Sequence, residues 1–77
     1  MKTLHFTTKA TQVTLADYQD VRINHTTFRI VWEEDNRQWA LEVSTDDGET
    51  WQTEEVGNAH IMGQAITDLI ADALGGM

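Results

Sequence analysis

Two runs of alternating apolar residues, at positions 28–32 and 39–43, constrain the fold of this chain more than any other feature. An alternation of period two is typical of a strand that buries one face. Asp35-Asn36 lies midway between the runs, and both residues tolerate the left-handed conformation that a two-residue hairpin turn requires. A hairpin about this turn places three pairs of large side chains on one face, where such pairs stabilise a sheet. The predicted pairs are Trp32 with Trp39, Ile30 with Leu41, and Phe28 with Val43.

Weaker patterns extend the sheet on both sides of this hairpin. Residues 2–8 alternate, residues 11–15 form a shorter candidate, and alternation resumes from residue 20. After a turn at residues 46–48, the segment 49–56 predicts a further strand. The sequence therefore predicts an antiparallel β-meander of about four to five strands. One face of this sheet carries mainly Thr, Arg, Glu and Gln, and we expect it to contact solvent.

The last part of the chain has the period of a helix. Asn58 is a suitable N-cap, and Gly75-Gly76 supplies a stop signal. Between them lies a broad apolar stripe, wide enough to cover a sheet face, with Asp68 and Asp72 directed away. The stripe consists of Ile61, Met62, Ala65, Ile66, Leu69, Ile70, Ala73 and Leu74. We predict a single α+β domain over residues 1–77, with one C-terminal α-helix packed on one face of the meander.

Residues 44–51 read Ser-Thr-Asp-Asp-Gly-Glu-Thr-Trp. A short Asp side chain accepts hydrogen bonds from turn amides, Gly supplies a positive φ, and Trp folds back over the hairpin. The segment matches S-x-D-x-G-x-T-W and resembles the Asp-box, also called the bacterial neuraminidase repeat. In sialidases this box is a structural hairpin that lies away from the catalytic residues. The resemblance therefore implies a local hairpin and no catalytic role.

Negative charge is concentrated in the second half of the chain. The formal net charge is −8, from 13 acidic and 5 basic residues. All five cations lie within residues 1–37, whereas residues 38–77 contain no Lys or Arg. Binding to nucleic acid or to an anionic membrane surface needs clustered cations, so we expect neither.

Several functional classes are excluded by what the chain lacks. It has no Cys, so it has no disulfide framework, thiolate metal site or cysteine nucleophile. It has neither an apolar run of roughly 18 residues nor a secretory leader, and we expect a cytoplasmic protein. His5, His25 and His60 lack zinc-site spacing, and no catalytic or phosphate-binding spacing is present. We therefore predict no enzymatic activity, no metal and no cofactor, and we interpret the three Trp residues as core.

These observations predict a small acidic, non-enzymatic protein-interaction or regulatory module, of the size of accessory proteins from phages, plasmids or bacterial operons. We expect a protein partner with a basic surface, which the exposed carboxylates near the last turn would contact. The candidate residues are Asp46, Asp47, Glu49, Glu54 and Glu55. Two alternatives stay open: an inhibitor that mimics nucleic acid, and a structural subunit of the virion type. A homodimer through a sheet edge or the helix also stays open, as does a purely solubilising role for the charge.

Overall fold

The computed structural model describes residues 2–8 and 10–74 and has an α+β architecture. The elements in chain order are β1 (Thr3–Thr8), β2 (Thr11–Ala16), β3 (Val21–Ile23), β4 (Thr26–Glu33), β5 (Gln38–Ser44), β6 (Gln52–Gly57) and α1 (Ala59–Ala73). The prediction of antiparallel strands followed by one C-terminal helix is confirmed. The described residues form six strands rather than four to five, and the strands divide into two sheets. β1 and β2 form a hairpin, and β3 to β6 form a four-stranded meander in sequential order.

The central hairpin has the predicted register. Trp32 lies opposite Trp39 and Ile30 lies opposite Leu41, and the third predicted pair also forms. The two indole rings pack edge to face with their centroids 5.3 Å apart, which is a favoured aromatic geometry. Because a one-residue slip would move all these side chains to the other face, burial of one face determines this register.

The turn between β4 and β5 differs from the prediction. Residues 34–37 form the connection, and the left-handed residue is Arg37, with a φ of 52°. Four-residue hairpin loops are commonly built around a type I turn, whose central residues stay right-handed. Asp35 and Asn36 therefore need no positive φ, and the left-handed residue is the one that precedes β5.

α1 begins where the sequence predicts. The Asn58 side chain accepts a hydrogen bond from the Ile61 N–H at 3.0 Å, as an N-cap does. The helix ends at Ala73 with Leu74 as its C-cap, and the predicted stop at Gly75-Gly76 lies outside the described residues. At the two ends of the predicted stripe, Ile61 and Leu74 are exposed. The stripe therefore buries its middle part and not its full length.

The hydrophobic core is shared by both sheets and the helix. The buried members of the core are Leu4, Leu15, Phe28, Ile30, Trp39, Leu41, Met62 and Ile66. Leu4 and Leu15 come from the β1–β2 hairpin. This hairpin therefore packs on the core as a separate sheet, together with the meander and α1, and does not extend the meander. Asn24, in the turn between β3 and β4, donates a hydrogen bond from Nδ2 to the carbonyl of Ala73. The helix thus crosses the meander from β6, which it follows directly, to the β3–β4 turn.

The open face is the face of the meander that is directed away from α1. It was predicted to carry mainly polar side chains, but aromatic rings also pack on it. Arg29 lies there, with its guanidinium carbon 4.0 Å from the ring centroid of Trp51 and 5.0 Å from that of Tyr18. Its Nε donates to the Glu42 carboxylate at 2.8 Å. Trp51 precedes β6 and packs on this cation, so the interpretation of Trp51 as a core residue is wrong.

Candidate functional site

The turn at residues 44–51 is organised by the Asp46 carboxylate. Its Oδ1 accepts hydrogen bonds from the Ser44 hydroxyl at 2.7 Å and from the Thr50 N–H at 2.9 Å. Its Oδ2 accepts from the Thr50 hydroxyl at 2.5 Å. The Thr50 hydroxyl and N–H, followed by the Ser44 hydroxyl, lower the pKa of Asp46 to about 2. The sequence places Asp46 in the candidate site, but its carboxylate is engaged within the turn.

The Trp51 side chain packs against the same turn. Its Nε1 donates to the Gly48 carbonyl at 3.0 Å, and a Cβ added at Gly48 would lie 3.5 Å from the indole ring. Gly48 has a φ of 89°, a conformation that side-chain-bearing residues rarely adopt. The turn and the Trp51 ring therefore form one packed unit, and this unit holds Asp47 and Glu49 at the surface.

The other four candidate carboxylates are all exposed, and we call them together the acidic surface: Asp47, Glu49, Glu54 and Glu55. Asp47 pairs with Arg22 at 3.0 Å, and both side chains are well exposed. Among the residues that the structure describes, no ion pair involves Glu49, Glu54 or Glu55. Within the described residues, three of the four carboxylates thus lie outside any ion pair.

β6 carries Glu54 and Glu55 along an irregular edge of the meander. Leu41 pairs with Glu55 and Glu42 pairs with Thr53, so Glu54 is an extra residue in a β-bulge. Glu55 also accepts a hydrogen bond from the Val56 N–H at 3.3 Å. A bulge and charged side chains both hinder the addition of another strand to an edge. The acidic surface is therefore suited to contacts between side chains and not to strand pairing.

A groove of ≈ 520 Å³ lies between β1 and α1. Its lining residues are Phe6, Thr7, Thr8, Ala59, His60, Gly63, Gln64, Thr67 and Asp68. The volume falls within the range of small-ligand sites. Its two ionisable residues, His60 and Asp68, are two helical turns apart, or about 12 Å along α1. This distance is too long for an acid–base pair that acts on one substrate atom.

Sequence reasoning missed both the groove and the Arg29 stack. Gly63 is a usable signal for the groove, because a Gly inside a helix often marks a close approach of another element. A Cβ at Gly63 would lie 3.2 Å from atoms of Phe6, so its absence lets α1 approach β1. The stack offers no comparable signal, since Tyr18, Arg29 and Trp51 are distant in the chain.

Within residues 2–8 and 10–74, no group of three or more His, Asp or Glu is placed to hold a metal ion. None of the helices in this part of the chain is long and apolar enough to cross a membrane. Comparisons with protein families, with curated proteins and with solved structures found no match to this chain.

Proposed function

We propose that this chain is a small acidic, non-enzymatic interaction module that binds a basic protein through the acidic surface. The observation that carries the proposal is the placement of Glu49, Glu54 and Glu55. All three are exposed and form no ion pair in the described part of the chain; Glu49 lies in the turn before β6, and Glu54 and Glu55 lie in β6 at the edge of the meander. Residues 38–77 contain no Lys or Arg, so a cation that neutralised them would have to come from residues 1–37.

The partner is expected to present Lys or Arg side chains to this surface. Exposed charges act over roughly one Debye length, about 8 Å at physiological salt, so they accelerate encounter more than they tighten the final complex. Binding should therefore weaken steeply as the salt concentration rises. The packed turn supports this role, because the hydrogen bonds of Asp46 and Trp51 hold Glu49 at the surface without using its charge.

The proposal is tested with two triple variants of equal net charge. In the first, Glu49, Glu54 and Glu55 become Gln; in the control, Asp20, Asp35 and Asp72 become Asn. The control residues are exposed and lie outside the acidic surface. The wild-type chain and both variants are immobilised and exposed to a bacterial lysate, and the retained proteins are identified by mass spectrometry after washes at low and high salt.

We expect a basic protein that the wild type and the control retain at low salt, and that the Gln variant does not retain. Equal loss in both variants would show that net charge alone matters, and would contradict a localised surface. The two alternatives give different results. A nucleic-acid mimic would be displaced from its partner by duplex DNA, and a structural subunit would self-associate in light scattering.

A further inference from the structure

The edge of β1 that faces away from β2 is regular and uncharged. β1 pairs with β2 at every position from Thr3 to Thr8, without a bulge. None of its six residues is Lys, Arg, Asp or Glu. No other strand pairs with β1 within residues 2–8 and 10–74. Of the devices that block strand addition, this edge has neither the charges nor the bulge seen on β6.

The hydrogen-bonding groups on this edge can be assigned from the ladder. The Asp17 N–H donates to the Lys2 carbonyl at 2.9 Å, so Lys2 and Asp17 form a hydrogen-bonded pair just before the ladder. In an antiparallel ladder such pairs alternate with pairs whose N–H and C=O groups point outward. The outward groups of β1 therefore belong to Thr3, His5 and Thr7.

α1 packs against the face of β1 that carries Phe6 and Thr8, and it runs in the same direction as β1. Phe6 packs at Gly63, and the Thr8 hydroxyl lies 3.2 Å from that of Thr67. Four helical residues advance about 6 Å while two strand residues advance about 6.7 Å, so the two elements stay in step. The groove is lined on one side by Phe6, Thr7 and Thr8 of β1, among which Thr7 has outward backbone groups, and on the other side by α1.

We propose that this groove binds an extended segment of a partner protein, which adds as a strand to the free edge of β1. Backbone groups of the segment would pair with those of Thr7, as in other cases of strand addition. An apolar side chain of the segment would rest on the half-buried ring of Phe6. A Lys or Arg of the segment would lie near Asp68.

A basic segment is favoured by the charges that surround the groove. Among the residues that the structure describes, which leave out Lys9, Asp68 is the one carboxylate in the lining, and the lining includes no Lys or Arg. α1 contains His60 but no Lys or Arg from Ala59 to Ala73, and the chain carries a net charge of −8. An acidic segment would be repelled by this field. The site is separate from the acidic surface, and it does not depend on that surface being used.

The first experiment selects binders from a display library of random peptides of about eight residues, enough to cover the six residues of β1. Selected peptides are then titrated against Thr7→Pro and Gln12→Pro variants. Each Pro removes an N–H that points away from the β1–β2 ladder, because Thr7 and Gln12 form one outward pair. The two changes therefore disturb the same hairpin to a similar degree, on opposite edges.

We expect Thr7→Pro to weaken binding by about tenfold or more, since it removes a hydrogen bond and obstructs the edge, and Gln12→Pro to leave binding nearly unchanged. Asp68→Asn should weaken basic peptides about threefold, as an exposed ion pair does, whereas Asp72→Asn outside the groove should not. Far-UV circular dichroism checks that each variant is folded.

N-methylation of alternate amides in the peptide provides a second test that leaves the protein unchanged. Only the set of amides that faces β1 should abolish binding when methylated. The proposal is overturned if the library yields no binder, if Thr7→Pro and Gln12→Pro have equal effects, or if both methylated sets bind alike. It is also overturned if Thr7→Pro converts a dimer into a monomer, because the occupant would then be a second copy of this chain.

Discussion

β1 and β6 each border a sheet on one side, but their free edges differ in charge, regularity and anchoring. β6 carries two adjacent carboxylates and a bulge at Glu54, and its residues are exposed from Gln52 to Val56. β1 is uncharged and regular, and its Leu4 is buried in the core. Charges and bulges protect an edge from strand addition. The comparison indicates that β6 is suited to electrostatic contacts between side chains, and β1 to backbone pairing.

The largest expected difference between β1 and β6 is in how much the burial of their side chains contributes to the free energy of unfolding. Leu4→Ala should lower the free energy of unfolding by about 2–5 kcal/mol, because it empties a buried site in the core. Val56→Ala in β6 should lower it by less than about 1 kcal/mol, since Val56 is 39% exposed and gains little from burial. Denaturant unfolding of both variants measures the difference. Equal losses would show that the two edge strands are anchored alike.

A second change should make the β6 edge resemble that of β1. Deletion of Glu54 removes the extra residue of the bulge, so that the pairs on either side of it become continuous. Combined with Glu55→Thr, the deletion leaves a regular, less charged edge, which is prone to pair with another strand. We expect concentration-dependent self-association in sedimentation velocity. If the double change leaves a monomer, charge and bulge are not what protects this edge.

A third prediction concerns the turn that supports the acidic surface. The pKa of Asp46 falls from 3.8 to about 2 on folding, so its hydrogen bonds stabilise the fold fully only above the unfolded value. As the pH falls from 4 towards 2, the unfolded chain takes up a proton first, and this stabilisation is lost. Urea unfolding across that interval should therefore show a decline that is smaller in Asp46→Asn. An identical decline in that variant would assign the effect to other carboxylates.

The smallest expected effect is that of Asp47→Asn. The change removes the ion pair with Arg22, while Asn still tolerates the left-handed backbone at this position, where φ is 62°. Both partners are well exposed, so stability should change by no more than about 0.5 kcal/mol. Thermal unfolding in low and high salt measures the change. A clearly larger loss would mean that the pair ties β3 to the turn.

Local patterns in the sequence predicted the elements and one register correctly. The period-two runs determine the pairing of Trp32 with Trp39, because only that register buries the large side chains of both strands together. Asn58 marks the start of α1 because its side chain bonds an N–H only three residues ahead. Such signals depend on neighbours within one turn of helix or one hairpin, and these neighbours are readable from the chain itself.

Tertiary structure decided the features that join distant residues. The hydrophobic periodicity of the sequence does not predict that β1 and β2 form a separate sheet. It also does not predict that Trp51 packs on Arg29 instead of entering the core. The groove depends on contacts between β1 and α1, such as the hydroxyl pair of Thr8 and Thr67, which are 59 residues apart. The charge distribution, with all excess carboxylates after residue 37, was determined by the sequence alone. Which of those carboxylates are free and which are held in the turn was decided by folding, because a hydrogen bond requires its partners to meet in space.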